Sequence, residues 1–281
     1  MKMEPGFIKG FSSEAYHSGP GVSKSDLSLI MRSPAHYKAK DQRKDTAALF
    51  FGAAFHMAVL EPDVFLERYS RRPDGLDART KDGKAWLISQ HSNGYEVLSG
   101  DDWNHIQEMR AAIMANETAF NLLSGDVEHE LSAFWKDPVF DVLCKARFDV
   151  LNKSAQICLD LKTCFDARPQ AITRDAYKYG WHIQSFWYTY GLQILSGSAH
   201  GFYFIAVEKE PPYGVCVYLA SEEMKQEGGI QCQKALEIYA DCLKKDEWPG
   251  YSKDVVSLEL PGWLKFKAKN EAFVGDPVIF D

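Results

Sequence analysis

Two carboxylates and a lysine stand close together in the middle of the 281-residue chain, at Asp149 and in the triplet Asp160-Leu161-Lys162. Asp160 and Lys162 are two positions apart on a predicted strand, so both side chains point to one face. A predicted turn at Asn152-Lys153 brings the strand of Asp149 alongside. Carboxylate oxygens are ligands that Mg²⁺ prefers, and a neighbouring amine can orient water or stabilise developing charge. The set could therefore support metal-dependent hydrolysis of a phosphodiester.

The acid-x-Lys triplet is a weak signal when it is taken alone. Asp82-Gly83-Lys84 and Glu223-Met224-Lys225 match it as well, the first in a polar stretch and the second near a predicted helix start. Only the triplet at Asp160 ends an apolar run, Ile157-Cys158-Leu159, which we expect inside a sheet. That context favours a site, and an ordinary ion pair at the end of a strand remains the alternative.

A predicted helix over residues 173–195 carries Tyr177, Trp181, Gln184 and Tyr188 on one stripe. A buried glutamine and a tyrosine hydroxyl need polar partners, so we interpret Gln184 and Tyr188 as site residues. We interpret Tyr177 and Trp181 as part of an aromatic core.

His56 and Glu130 are candidate metal ligands, and each also has an ordinary structural explanation. His56 lies four residues after Gly52 on an apolar helix predicted over residues 46–60, and we expect Gly52 to let that helix approach its neighbours closely. A histidine in such a helix is more often a core or surface residue. Glu130, at the start of a predicted strand, could reach the metals or be an ordinary surface carboxylate.

The elements around these residues predict an α/β or α+β fold with one mixed central sheet covered by helices. Residues 130–136, 142–151 and 155–162 form a predicted meander, and further strands are predicted at residues 202–208 and 215–220. Helices are predicted after Ser23 or Ser25, after Asp101 or Asp102, and over residues 221–245. Residues 68–100 read as a long polar loop or a partly ordered insertion.

We expect one domain over residues 1–281, with a core at about 16–245 and a C-terminal tail at 246–281. The tail has aromatic residues that we expect to pack on the core or on a neighbouring subunit, namely Trp248, Tyr251, Trp263 and Phe266.

Composition indicates a globular protein with 46% hydrophobic and 25% charged residues. Six scattered cysteines without a CxxC pair predict reduced core thiols and no zinc ribbon. No apolar run of about 18 residues and no secretory signal occur, so we expect a cytoplasmic protein without a membrane partner. With a net charge of −7, any contact with nucleic acid requires locally concentrated basic residues or the help of bound cations. The candidates for phosphate contact, equally explained as solvated residues, are Lys24, Arg32, Arg43 and Arg79.

Together these segments resemble the RecE-type (exonuclease VIII) nucleases, a branch of the PD-(D/E)XK superfamily related to the RecB and AddB nuclease domains and to lambda exonuclease. The resemblance covers most of residues 16–245. The segments that carry it are Val22-Ser-Lys-Ser-Asp-Leu, Ser33-Pro-Ala-His-Tyr, Gly52-Ala-Ala-Phe-His56, Lys145-Ala-Arg-Phe-Asp149, Asp160-Leu-Lys-Thr163 and Gln184-Ser-Phe-Trp-Tyr188.

The resemblance implies that His56, Asp149 and Asp160 bind metal, with the backbone carbonyl of Leu161 as a further ligand and Lys162 as the catalytic amine. It implies Mg²⁺, for which Mn²⁺ can substitute, and places Gln184 and Tyr188 beside the scissile bond. It further implies 5′→3′ degradation of double-stranded DNA ends to mononucleotides, a single-strand annealing (RecT-like) protein as partner, and a homo-oligomeric ring.

Two other classes of function remain open on the sequence. One is a different nuclease on the same fold, Cas4-like or structure-specific, although the absence of a cysteine cluster argues against the Cas4-like type. The other is an inactive nuclease fold that serves as a DNA-binding module.

Overall fold

The computed structural model describes residues 3–40 and 46–262. Arg43 and the aromatic residues Trp263 and Phe266 lie outside the described residues, so the expectations for them stay predictions.

Helices and strands come mostly in short runs along the described chain. The strands are β1 (Gly6–Ile8), β2 (Tyr69–Arg71), β3 (Glu96–Leu98), β4 (Glu128–Lys136), β5 (Leu143–Asn152), β6 (Ile157–Cys164), β7 (Gly201–Glu208) and β8 (Val215–Leu219). The helices are α1 (Ser13–Ser18), α2 (Lys24–Arg32), α3 (Pro34–Lys38), α4 (Ala47–Leu60), α5 (Pro62–Arg68), α6 (Lys81–Ser92), α7 (Gly100–Ala115), α8 (Glu117–Leu123), α9 (Pro169–Lys178), α10 (Trp181–Ser196) and α11 (Glu222–Lys245).

Six of the strands form one mixed sheet in the order β1-β4-β5-β6-β7-β8. The pairing of β6 with β7 is parallel, and the other four pairings are antiparallel. The predicted meander of β4, β5 and β6 and the strands β7 and β8 are present. The expected mixed sheet with flanking helices is thus confirmed.

Apolar side chains fill a core on each face of this sheet. On one face α2, α9, α10 and α11 pack against residues such as Trp135, Phe148 and Phe204. On the other face α4, α5, α7 and α8 pack against residues such as Val150, Leu161 and Ile205. Helices on both faces bury the sheet, which explains the apolar runs in its central strands.

Most of the predicted helix starts agree with the structure. Ser23 caps α2 through a capping box with Asp26, Thr46 caps α4, and Ser221 caps α11. The cap of α7 is Ser99 and not Asp101 or Asp102, because its hydroxyl accepts from the amide of Asp102. Serine and threonine caps satisfy amide groups that the first turn leaves without partners.

The prediction of a long loop over residues 68–100 was wrong. This stretch contains β2 and β3, which pair in parallel as a separate small sheet, and the helix α6. Only Gly83 is buried in α6, so the helix lacks the apolar periodicity that reveals a packed helix in a sequence. The cap by Thr80 was the remaining local signal.

The single helix predicted over residues 173–195 is two helices. Gly180 adopts a left-handed conformation with φ of 67° and separates α9 from α10. A residue with a side chain adopts that conformation at a cost, so glycine suits the corner. Tyr177 consequently lies on α9 and is 70% exposed, and its assignment to the core was wrong, whereas Trp181 is buried as expected.

The tail residues that the structure describes pack partly on the core. Trp248 stacks on Tyr37 with a centroid distance of 5.4 Å, and Tyr251 approaches His36 at 5.5 Å. Within the described ranges, no helix is long and apolar enough to cross a bilayer. All six cysteines are free, and five of them are buried.

Candidate active site at a fork in the sheet

The central strands separate where the predicted site residues lie. β6 pairs with β7 at every position from Ile157↔Gly201 to Cys164↔Glu208. With β5, it pairs only from Asn152↔Ile157 to Val150↔Leu159. The β5–β6 ladder therefore ends just before Asp149 and Asp160, and the two strands form a fork there.

The fork frees backbone groups that an intact ladder would occupy. The amide of Leu161 donates to Asp149 Oδ2 at 2.8 Å instead of bonding to a strand. The amide thus fixes the Asp149 carboxylate in the gap between the strands. Both elements of the sequence motif, which are 12 residues apart, meet at this hydrogen bond.

Asp160, Lys162 and Gln184 form a closed triangle of contacts on the α10 side of the fork. The Lys162 ammonium contacts Asp160 Oδ2 and donates to Gln184 Oε1 at 2.9 Å. The Gln184 amide nitrogen donates to Asp160 Oδ1. Asp160 and Gln184 are buried, so each polar group depends on the others for its partners. Asp160 Oδ2 has the ion pair but no hydrogen bond.

His56 reaches the fork from α4, on the opposite face of the sheet from α10. Its Nδ1 lies 3.3 Å from Asp149 Oδ2. Burial lowers the pKa of His56, although Asp160 and Glu130 oppose that shift. A neutral imidazole is the form that binds a metal.

Gly52 does not have the role that its spacing from His56 suggested. A Cβ atom built at Gly52 would meet no heavy atom within 4 Å. The expectation of a close helix approach at this position was wrong, since α4 packs through Ala54, Phe55 and Ala58.

Glu130 lies opposite Asp149, at a gap in the β4–β5 ladder. The pairs His129↔Val150 and Leu131↔Phe148 flank this gap, and Glu130 has a φ of 50°. Its carboxylate accepts from Arg147 Nε at 2.5 Å. A positive φ in a non-glycine residue is strained and is often found at functional sites.

The donor set fits a divalent cation. His56, Glu130 and Asp149 offer ligand atoms that all lie within 4.8 Å of one another. Burial and the charges of Asp160 and Glu130 raise the pKa of Asp149 well above its usual range. Carboxylates crowded in a buried place repel one another, and a bound cation relieves that repulsion.

Tyr188 lies beside this set as a neutral hydroxyl. Burial raises the pKa of the phenol well above its usual range. The rings of Phe148 and Phe202 meet its ring edge-on at 5.2 and 5.7 Å. Tyr188 therefore packs between these rings one turn after Gln184 on α10, and Gln184 contacts Asp160 and Lys162.

The other charged residues of β5 have backbone partners. Lys145 Nζ donates to the carbonyl oxygens of Tyr16 at 2.7 Å and Gly19 at 2.6 Å. Arg147 also donates to the carbonyl of Phe11. These cations tie the N-terminal segment to the sheet.

Among the cations considered for phosphate contact, Lys24 interacts electrostatically with the site residues Lys162 and Asp160. Its Nζ donates to the carbonyl oxygen of Tyr179 at 2.7 Å. Burial and then the charge of Lys162 lower the pKa of Lys24 to about 8. Arg32 instead contacts the Tyr251 hydroxyl, and Arg79 pairs with Asp77. The corner at Tyr179 and Gly180 positions Lys24. The sequence pattern predicted one continuous helix there and did not reveal this corner.

Several solved structures match the chain. One, a protein from Eubacterium rectale named provisionally as an exonuclease, has a TM-score of 0.59 at 12% identity, covering 92% of this chain and 98% of its own. At that identity the likeness supports the fold alone. Another, a phage-related exonuclease from Haemophilus somnus 129PT, has a TM-score of 0.36 at 13% identity, covering 81% and 96%. That score is too low to support an argument.

Among curated protein sequences, none matches the chain. A family model described as a PDDEXK-like domain of unknown function (DUF3799) matches residues 23–260, which include every candidate site residue. The fork, its carboxylates and its lysine lie within that match, and the chain belongs to this family of PD-(D/E)XK-like nuclease folds.

Proposed function

We propose that the chain is a metal-dependent exodeoxyribonuclease that acts on ends of double-stranded DNA. The observation that carries the proposal is the fork between β5 and β6, where Asp149, Asp160 and Lys162 converge. Two buried carboxylates, with a partly exposed ammonium and a partly exposed imidazole beside them, match the needs of phosphodiester hydrolysis better than those of a structural ion pair.

The proposed roles follow from the contacts of each side chain. Asp149 and Asp160 would hold a divalent cation, Mg²⁺ or in its place Mn²⁺, with His56, the Leu161 carbonyl and Glu130 as further ligands. When bound, that cation supplies charge neutralisation and an acidified water. Lys162 Nζ would stabilise the charge that develops on the phosphate oxygens.

Gln184 and Tyr188 are proposed to position the reacting groups. Gln184 touches both Asp160 and Lys162, so it fixes the distance between the carboxylate and the ammonium. Tyr188 lies one turn after Gln184 on α10 and would restrain the Gln184 side chain from there. Small displacements in such arrangements are expected to slow the reaction strongly.

The finer features of the proposal come from the resemblance to RecE-type nucleases. They are removal of the 5′-ended strand as mononucleotides, a homo-oligomeric ring around DNA, and delivery of the 3′ overhang to a single-strand annealing protein. We further propose a single domain over residues 1–281 and a cytoplasmic location.

End-labelled DNA tests the proposal. Linear duplex DNA labelled at the 5′ or the 3′ end is incubated with the protein and Mg²⁺, next to a closed circle of the same sequence. We expect early release of the 5′ label as a mononucleotide from the linear DNA and no cutting of the circle. Early release of the 3′ label would reverse the proposed polarity, and cutting of the circle would indicate an endonuclease.

A further inference from the structure

The corner between α9 and α10 opens a cavity of about 590 Å³ next to the candidate active site. Its wall includes Lys24 and Ser28 from α2, Tyr177 from α9, and His182 from α10. Gly180 in the same wall is followed by Trp181, whose ring centroid lies 5.6 Å from Lys162 Nζ, so the cavity borders the site.

Tyr177 presents an exposed aromatic ring with a firm support. The ring is 70% exposed and stacks on the His182 imidazole with a centroid distance of 5.2 Å and an interplanar angle of 12°. His182 itself is buried at 5% exposure. An exposed tyrosine that is held by stacking on one face keeps its other face available for a second planar group.

Hydrogen bonds fix the imidazole that supports Tyr177. Gln231 donates through Nε2 to Glu227 at 2.7 Å, so its Oε1 faces His182 Nε2 at 3.2 Å. The Nε2–H tautomer of His182 fits this arrangement. Its Nδ1 is buried without a hydrogen bond in the described part of the chain. The contact with Gln231 therefore holds the imidazole in place under the Tyr177 ring.

Lys24 supplies a positive charge at a fixed place in the same wall. Its ammonium is anchored on the Tyr179 carbonyl at 2.7 Å, and a Cβ atom at Gly180 would come within 3.3 Å of it. An ammonium near an aromatic platform is the combination by which proteins hold single-stranded nucleic acid: the ring stacks on a base and the cation neutralises a phosphate.

We propose that this cavity binds one unpaired nucleotide of the DNA substrate, with its base stacked on Tyr177 and a backbone phosphate next to Lys24. The inference rests on the proposed nuclease function and adds a nucleobase subsite to it. Stacking accepts any base, because every base has a π face, so the subsite would favour a frayed end over a paired one without reading sequence.

Binding in EDTA tests the subsite separately from cleavage. Fluorescence anisotropy compares a short single-stranded oligodeoxynucleotide with an abasic oligomer of equal length and charge. For the unchanged protein we expect the oligomer with bases to bind about 5- to 150-fold more tightly. Tyr177→Ala should abolish most of that preference, and Tyr177→Phe should restore it.

Two further variants separate stacking from charge and from general surface effects. Lys24→Ala should weaken both oligomers alike and reduce the salt dependence of binding. Phe120→Ala removes another exposed aromatic ring, on α8 at the opposite face of the sheet, and should leave the preference unchanged. Thermal melting of each variant checks that it is folded, and Tyr177→Leu is a second truncation if Tyr177→Ala unfolds.

An equal preference for bases in Tyr177→Ala and the unchanged protein would overturn the subsite, as would the absence of any preference in the unchanged protein. Cleavage of linear DNA in either of those cases would leave the nuclease proposal standing. A Tyr177-dependent preference in a protein that cuts no DNA would reject the nuclease proposal alone.

Discussion

Substitution of Lys162 by alanine should destabilise the metal-free protein and at the same time strengthen metal binding. The Lys162 ammonium faces the Asp160 carboxylate and donates to Gln184 Oε1 at 2.9 Å. Without it, the Asp160 carboxylate, whose side chain is 6% exposed, loses its compensating charge. A divalent cation can supply that charge, and the variant no longer has an ammonium that repels it.

The expected loss of stability is moderate. Breaking a buried ion pair costs about 3–5 kcal/mol, but the Lys162 side chain is 22% exposed, so water screens part of the interaction. We therefore expect a loss of roughly 1–3 kcal/mol, in line with hydrogen bonds to charged groups. At about 2–4 °C per kcal/mol, the melting temperature should fall by several degrees.

The assay is thermal melting with EDTA and with a series of Mg²⁺ concentrations. A tenfold gain in metal affinity would add about 1.4 kcal/mol of stabilisation at saturating Mg²⁺. Lys245→Ala is the matched control, because it breaks an exposed pair with Asp241 and should change stability by less than about 1 kcal/mol. Equal melting of Lys162→Ala and the unchanged protein in EDTA would refute this reasoning, and so would a smaller Mg²⁺ effect in the variant.

Three further predictions concern pH, packing and positioning. Because the folded state raises the pKa of Asp149, the metal-free protein should lose stability as pH rises through that pKa. The stabilisation by Mg²⁺ should grow over the same range, since the ionised carboxylate binds the cation. Melting temperatures that change with pH in the same way in EDTA and in Mg²⁺ would contradict this. Gly228→Ala should destabilise by several degrees in thermal melting, because its Cβ would meet the His182 carbonyl oxygen at 2.0 Å, whereas Gly52→Ala should be neutral or stabilising by up to about 1 kcal/mol. Gln184→Leu should lower kcat of DNA cleavage at least about 10-fold with little change in KM, and an unchanged kcat would reject its positioning role.

The sequence predicted the strands of the site because their residues alternate strongly. β5 and β6 are apolar on their buried faces, and the turn after Asn152 joins them, so the proximity of Asp149 and Asp160 followed from simple pairing. The fork could not be predicted in this way. At the fork the Leu161 amide donates to the Asp149 carboxylate and not to a neighbouring strand. This contact depends on tertiary structure, which no local sequence pattern reveals.

Local patterns also misled where one residue overrides many. Residues 173–195 have continuous helical spacing, but Gly180 in a left-handed conformation divides the helix and turns Tyr177 to solvent. α6 was missed for the opposite reason, since it buries almost nothing and has no periodicity to detect. The corner at Gly180 packs against α2, and α6 begins at the cap by Thr80. Neither feature follows from helix propensity alone.

Metal-dependent cleavage tests the central claim most directly. Linear duplex DNA is incubated with the unchanged protein, Asp160→Asn and the surface control Asp141→Asn, each with Mg²⁺ or EDTA, and the release of acid-soluble nucleotides is followed. We expect release only with Mg²⁺, loss of at least about 100-fold in Asp160→Asn, and an unchanged rate in Asp141→Asn. Cleavage that persists in EDTA, or that Asp160→Asn leaves intact, would contradict a metal centre at the fork.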